Sequence, residues 1–169
     1  GVVPSANWLH LYSEAARLAF ADRAAYVGDP DFVQAPGGDW RSLLAPGYLL
    51  ERSRLIGPQR MPAAAAGQPA PLRMGYAPMP PQPEYGTSHI SIIDKDGNAV
   101  AMTTTIEAAF GSRQMVKGFM LNNELTDFSF TPTDASGQPI ANSVQPGKRP
   151  RSSMSPTLVF DRNSGQLLA

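Results

Sequence analysis

The chain has 169 residues with no net formal charge; 42% are hydrophobic and 17% charged. That composition fits a globular domain with a core and excludes a disordered chain, and the charge balance gives no basic field for nucleic acid or a membrane surface. Cysteine is absent and His10 and His89 are the only histidines, which excludes thiol catalysis, disulfides and thiolate metal sites and leaves too few histidines for an imidazole-based metal site.

In chain order, residues 5–26 are predicted to form an amphipathic helix. Ser5 is its expected N-cap. Trp8, Leu11, Tyr12, Ala15, Leu18 and Ala19 recur at helical spacing, Asp22 interrupts that face and Tyr26 resumes it. Gly28-Asp29-Pro30 should end it. A second, shorter helix is expected to start at Pro46, where proline suits the first turn, and to run to about Leu55. From Gly57 to Pro83 the composition shifts. Prolines recur without a periodic apolar face, so the segment reads as an extended, mobile spacer. The period then becomes two. Residues 87–94 and 99–106 are expected to pair as a hairpin across Asp94-Lys95-Asp96-Gly97-Asn98. Phe119-Met120-Leu121 reads as a short strand. A second hairpin is expected where residues 158–160 and 166–168 flank Asp161-Arg162-Asn163-Ser164-Gly165. No apolar run is long enough for a membrane-spanning helix, which needs about 20 residues. No signal-peptide pattern opens the chain, which reads as beginning mid-protein.

The chemistry centres on Thr87, which follows Gly86 at the start of the first predicted strand. A hydroxyl is a poor nucleophile at neutral pH and needs an adjacent base. If the chain is cut before Thr87, the new α-amine, with a pKa of roughly 7.7–8.0, supplies that base on the same residue. Gly86 has no side chain to block attack on its carbonyl. In the hairpin, Thr87 and Thr105 lie at facing ends. His89 shares a face with Thr87 by strand alternation, but a terminal amine makes it dispensable, and local hydrogen bonding is its expected role. Arg17 and Arg23 read as surface or ion-pair arginines.

Four blocks occur in order: Gly86-Thr87-Ser88-His89; Thr103-Thr104-Thr105 with Phe110-Gly111-Ser112; Leu121-Asn122-Asn123-Glu124-Leu125-Thr126-Asp127-Phe128-Ser129; and Pro146-Gly147-Lys148-Arg149-Pro150-Arg151-Ser152-Ser153-Met154-Ser155-Pro156-Thr157. Together they resemble the gamma-glutamyltransferase family of N-terminal-nucleophile hydrolases. The resemblance covers most of the chain and is specific over residues 84–160. It implies an α/β (α+β) chain forming part of a four-layer αββα sandwich. It implies autoproteolysis between Gly86 and Thr87, with Thr87 as nucleophile and Thr105 orienting its hydroxyl. Glu124 and Asp127 match the positions that hold the substrate ammonium, and Ser152 and Ser153 the pair that bonds its carboxylate. Glu107 stands where many members carry an asparagine. Its carboxylate either strengthens ammonium binding or marks a different acyl group.

The residues alone leave other readings open. Thr103–Thr105 are also ordinary β-branched strand residues, Glu124 and Asp127 an ordinary acidic loop, and Ser152 and Ser153 ordinary loop serines. Residues 1–56 then correspond to the helical end of a large subunit, 57–86 to a linker ending at the cut, and 87–169 to the start of a small catalytic subunit. The expected reaction is transfer or hydrolysis of glutathione-like γ-glutamyl amides through a threonine ester, with water, an amino acid or a peptide as acceptor. The alternatives are a cephalosporin-acylase-like amide hydrolase and a truncated non-catalytic fragment. No metal or organic cofactor is implied. The expected partners are the γ-glutamyl substrate and the remainder of both subunits. The compartment stays open: periplasmic or secreted members are common and a cytoplasmic one is possible. The family's carboxylate-binding arginine is expected upstream of residue 1 and its oxyanion-hole diglycine beyond Ala169, so residues 1–169 alone are expected to be inactive.

Overall fold

The N-terminal helix sets the frame for half the molecule. A computed structural model describes residues 3–71 and 75–168. Helix α1 (Ala6–Tyr26) begins at Ser5, whose hydroxyl accepts from the Trp8 amide at 3.1 Å. That bond satisfies one of the donors left open at a helix start. Helix α2 (Pro46–Ser53) carries Pro46 in its first turn. The apolar face of α1 is only partly covered: Leu18 and Tyr26 are buried, whereas Trp8, Leu11 and Tyr12 are exposed.

The chain divides into two units, residues 1–82 with 128–151, and residues 83–127 with 152–169. In the first unit the proline-rich segment is extended, as its composition requires, but it is docked rather than loose. Glu14 accepts from the Met61 amide at 2.7 Å, while Arg17 donates both to Glu14 and to the Met61 carbonyl. Asp22 accepts from the Gly67 amide, from Arg52 and from the Tyr48 hydroxyl. Tyr26 donates to the Gly67 carbonyl. Further along, Ala77, Met79 and Ile140 form a small core, and the Ala77 amide donates to the Pro139 carbonyl at 2.8 Å. Met61 and Gly67 are thus tied to α1 within the segment expected to be a mobile spacer. Prolines remove backbone donors, yet acidic side chains of α1 collect the Met61 and Gly67 amides, and the Ala77 and Met79 amides reach the Pro139 and Ala24 carbonyls. The part of that expectation covering residues 72–74 lies outside the described residues.

The second unit holds the strands. Strands β1 (Ser88–Ile93) and β2 (Ala99–Thr104) pair antiparallel with Ser88 opposite Thr104 and Ile93 opposite Ala99. The turn is set by Asp94, whose carboxylate accepts from the Asn98 side chain and the Asp96 and Asn98 amides, with Gly97 at φ 87°. Both faces of this hairpin are largely exposed, including Ile92, Ile93 and Val100. Strands β3 (Met115–Val116) and β4 (Phe119–Met120) form a second small sheet. Gly111 (φ 50°) closes the loop before it, and a Cβ there would sit 2.1 Å from the Leu121 carbonyl oxygen. The second predicted hairpin survives as a Phe160–Leu167 bridge flanked by Asp161-to-Gln166 and Leu168-to-Val159 backbone bonds. The mixed α/β class is as expected. Among the described residues there are two two-stranded sheets, consistent with a fragment of the expected sandwich.

Candidate functional site

Every residue expected at the site belongs to the second unit: Gly86, Thr87, Thr105, Glu107, Glu124 and Asp127 in residues 83–127, Ser152 and Ser153 in residues 152–169. The hairpin register explains the first pair. Ser88 opposite Thr104 leaves Thr87 and Thr105 just beyond the paired ends of β1 and β2. Thr87 is exposed and lies one residue ahead of the strand rather than within it.

Thr105 makes the connection that the spacing alone could not show. Its hydroxyl donates to the Gly86 carbonyl oxygen at 3.4 Å, a long bond, and accepts from the Glu107 amide at 2.8 Å. A donor thus faces the carbonyl of the peptide bond expected to break. A cavity of about 460 Å³ opens beside this junction, lined by Tyr85, Gly86, Ser88 and residues 104–109.

Glu107 is the second unusual residue. It is buried at 7% exposure and sits at φ 71°, the left-handed region that a side chain bearing Cβ seldom adopts. Asn123 holds it there. The Asn123 amide donates to the Glu107 carboxylate at 2.8 Å, its carbonyl oxygen accepts from the Ala108 amide at 3.0 Å, and its backbone amide donates to the Ile106 carbonyl. These three bonds over-determine the turn, which is the condition under which a strained residue persists.

The short 3₁₀ helix Glu124–Asp127 then brings two more carboxylates into range. Burial, followed by a hydrogen bond to Asp127 and the charges of Asp127 and Glu107, pushes the Glu124 carboxyl up to about 7. One Glu124 oxygen, Oε1, is buried without a hydrogen-bond partner. Three acidic groups in partial burial repel one another, and a cation relieves that repulsion. The structure therefore gathers Gly86, Thr105 and Glu107 around one cavity and couples Glu107 to Glu124 and Asp127 by charge.

It does not draw Ser152 and Ser153 into that cavity lining. Both are exposed, and Ser152 accepts from the Met154 amide at 3.3 Å in a local turn. His89 bonds locally, as expected. Its two ring nitrogens meet the hydroxyls of Thr103 at 2.8 Å and Ser91 at 3.0 Å. Arg17 is an ion-pair arginine, bound to Glu14 at 2.9 Å. Asn123 is the residue that sequence reasoning passed over. Its only signal was the Asn122-Asn123 pair ahead of the acidic positions. Among the described residues, no group of three or more acidic, histidine or cysteine side chains is arranged to hold a metal, and no helix is long and apolar enough to cross a membrane.

Comparison with known proteins places the chain in a family. The family model described as Gamma-glutamyltranspeptidase matches residues 2–169. The "Glutathione hydrolase proenzyme" of Pseudomonas aeruginosa is 41% identical over 161 residues, covering 92% of this chain and 26% of that protein. The protein of the same description from Bacillus subtilis strain 168 is 43% identical over 159 residues, covering 89% of this chain and 26% of that protein. Among solved structures, gamma-glutamyltranspeptidase from Pseudomonas nitroreducens complexed with L-DON shares 48% identity, with a TM-score of 0.38 over 47% of this chain and 43% of that one. The chain spans about a quarter of the length of the curated relatives it matches. Matched along nearly its whole length by one family model, the chain belongs to the gamma-glutamyltranspeptidase family.

Proposed function

We propose that this chain carries the processing junction and much of the acyl-donor site of a γ-glutamyl hydrolase or transferase. The observation that carries the reading is the Thr105 hydroxyl facing the Gly86 carbonyl beside a cavity walled by Glu107. The proenzyme description shared by the relatives supports a processing step.

In the first step the Thr87 hydroxyl attacks the Gly86 carbonyl. The Gly86–Thr87 C–N bond breaks as a C–O bond forms, and the acyl group moves from nitrogen to oxygen. Thr105 donates to the carbonyl oxygen as charge builds there. Water then opens the ester, leaving a Gly86 carboxylate and a Thr87 α-amine. In the catalytic cycle that amine, in its neutral form, takes the hydroxyl proton as Thr87 attacks the substrate's amide carbonyl. The amine product leaves with a proton, and a γ-glutamyl ester remains on Thr87. Water, an amino acid or a peptide takes the acyl group from it.

Glu107, Glu124 and Asp127 hold the substrate's α-ammonium, which relieves their mutual repulsion, and Ser152 and Ser153 donate to its α-carboxylate. On this reading residues 1–86 end a large subunit and 87–169 begin a small one. No cofactor enters the scheme.

The test is release of amine from γ-glutamyl and glutaryl anilides by the full-length protein. The γ-glutamyl compound should be turned over at least about 10-fold faster, since only it carries the ammonium. Preference for the glutaryl compound would replace the reading with an amide hydrolase of another acyl class. Turnover of neither would remove the enzymatic reading.

A further inference from the structure

The chain leaves the site-bearing unit after Asp127 and returns at Ser152. Between those points residues 128–151 belong to the other unit. The expected ammonium-holding and carboxylate-holding ends of the site are thus the two ends of one excursion. Bonds within the excursion therefore bear on how those two ends are held.

One buried residue joins them, by its backbone on one side and its side chain on the other. Asn142 is 0% exposed. Its backbone carbonyl accepts from the Ser129 amide at 2.9 Å, two residues after Asp127. Its side-chain Oδ1 accepts from the Arg151 amide at 3.0 Å, one residue before Ser152. Its Nδ2 lies 3.5 Å from Met79 Sδ, which orients the amide. The outgoing and returning segments of the excursion therefore meet at Asn142.

Neighbouring bonds stiffen the return. Lys148 donates its buried ammonium to the Ala141 carbonyl at 2.7 Å. Arg149 donates to the buried Asp29 carboxylate through its backbone amide, Nε and an NH2 group. The outgoing strand is held by the Ile140 amide bonding the Pro132 carbonyl and by Gln82 donating to the Phe128 carbonyl. Arg151 also donates through NH1 to the Arg23 carbonyl at 3.3 Å, while Asn142 Oδ1 holds its backbone amide, next to Ser152.

We propose that Asn142 is a positioning residue that sets the separation between Asp127 and Ser152, and so matches the site to a donor carrying both an α-ammonium and an α-carboxylate. The proposal rests on the substrate reading given under Proposed function. A buried amide suits this task because Oδ1 accepts without adding charge, and an orphaned backbone donor in its place is costly. Asn142 touches no substrate; it acts through Arg151 and Ser129.

The experiment uses the full-length protein and three anilide donors: γ-glutamyl, glutaryl (no α-ammonium) and 4-aminobutyryl (no α-carboxylate). In Asn142→Ala, kcat/KM for the γ-glutamyl donor should fall about 10–100-fold, the loss of one charge-assisted grip. The one-ended donors should change by less than about 3-fold, because a ligand held at one end does not sense the spacing. Asn142→Asp keeps the acceptor and should restore discrimination; Asn142→Ser, too short to reach Arg151, replaces the alanine variant if that one does not fold. Equal losses for all three donors, or no loss for any, overturn the proposal. A wild-type protein that does not prefer the γ-glutamyl donor contradicts the substrate reading itself, which separates the two failures.

Discussion

Glu124→Gln should make the protein more stable at pH 8, with most of that gain gone at pH 5. The Glu124 carboxyl is raised from its ordinary 4.5 to about 7, first by burial and then by Asp127 and Glu107. A carboxyl whose folded pKa lies above its unfolded one favours folding when protonated. That contribution is fully present below pH 4.5 and is lost as pH rises through about 7. A displacement of about 2.5 pH units, at about 1.4 kcal/mol each, sets a ceiling of about 3.5 kcal/mol. Partial exposure of the side chain and relaxation of Asp127 bring the expected gain to about 1–2 kcal/mol. Glutamine is neutral throughout, so it removes the pH-dependent loss while keeping the shape. The assay is urea unfolding of wild-type and variant proteins at pH 5, 6.5 and 8. The stability gap should open between pH 5 and 8, with the variant on top. A gap that stays constant, or opens with the wild type on top, refutes the reasoning about three crowded carboxylates. An α-amino acid such as L-glutamate should narrow the gap at pH 8, because its ammonium supplies the missing counter-charge to the wild type.

Other residues give independent expectations. Thr105→Ala removes the donor facing the Gly86 carbonyl and should slow cleavage about 10²-fold, while Thr105→Ser keeps the hydroxyl; a gel time course of the precursor reads both, and unchanged cleavage in the alanine variant removes the role. Tyr48→Phe deletes the hydroxyl that donates to Asp22 at 2.7 Å and should cost about 1.5–3 kcal/mol in urea unfolding; no cost would mean that this bond does not hold α2 to α1. Gly111→Ala forces a Cβ to 2.1 Å from a carbonyl oxygen at φ 50° and should cost at least about 2 kcal/mol. Full stability in that variant would show that the loop into β3 relaxes freely.

The sequence showed local structure well because local chemistry determines it. Ser5 capping α1, Pro46 opening α2 and the Asp94–Gly97 turn each depend on residues within a few positions of one another. What stayed hidden depends on distant contacts. The proline-rich segment has no periodic face, so nothing in it announced that Glu14 and Asp22 would collect its amides. The α1 pattern likewise did not distinguish the buried Leu18 from the exposed Trp8.

The site divides the same way. Thr87, Thr105, Glu124 and Asp127 could be named from motif spacing, and the hairpin register brings the first two to adjacent strand ends. Asn123 could not, because its worth lies in holding Glu107 at φ 71° from sixteen residues away. Asn142 was hidden for the same reason: a lone asparagine in a loop carries no pattern, and only the fold shows it bonded to both Ser129 and Arg151.

The central claim is a cut immediately before Thr87, and the most direct measurement is intact-mass analysis with N-terminal sequencing of the purified full-length protein. Two fragments are expected, one ending at Gly86 and one beginning Thr87-Ser88-His89, with Thr87→Ala remaining a single chain. A wild-type polypeptide that stays whole while releasing amine from a γ-glutamyl anilide, or a Thr87→Ala variant cut at the same bond, would contradict the account.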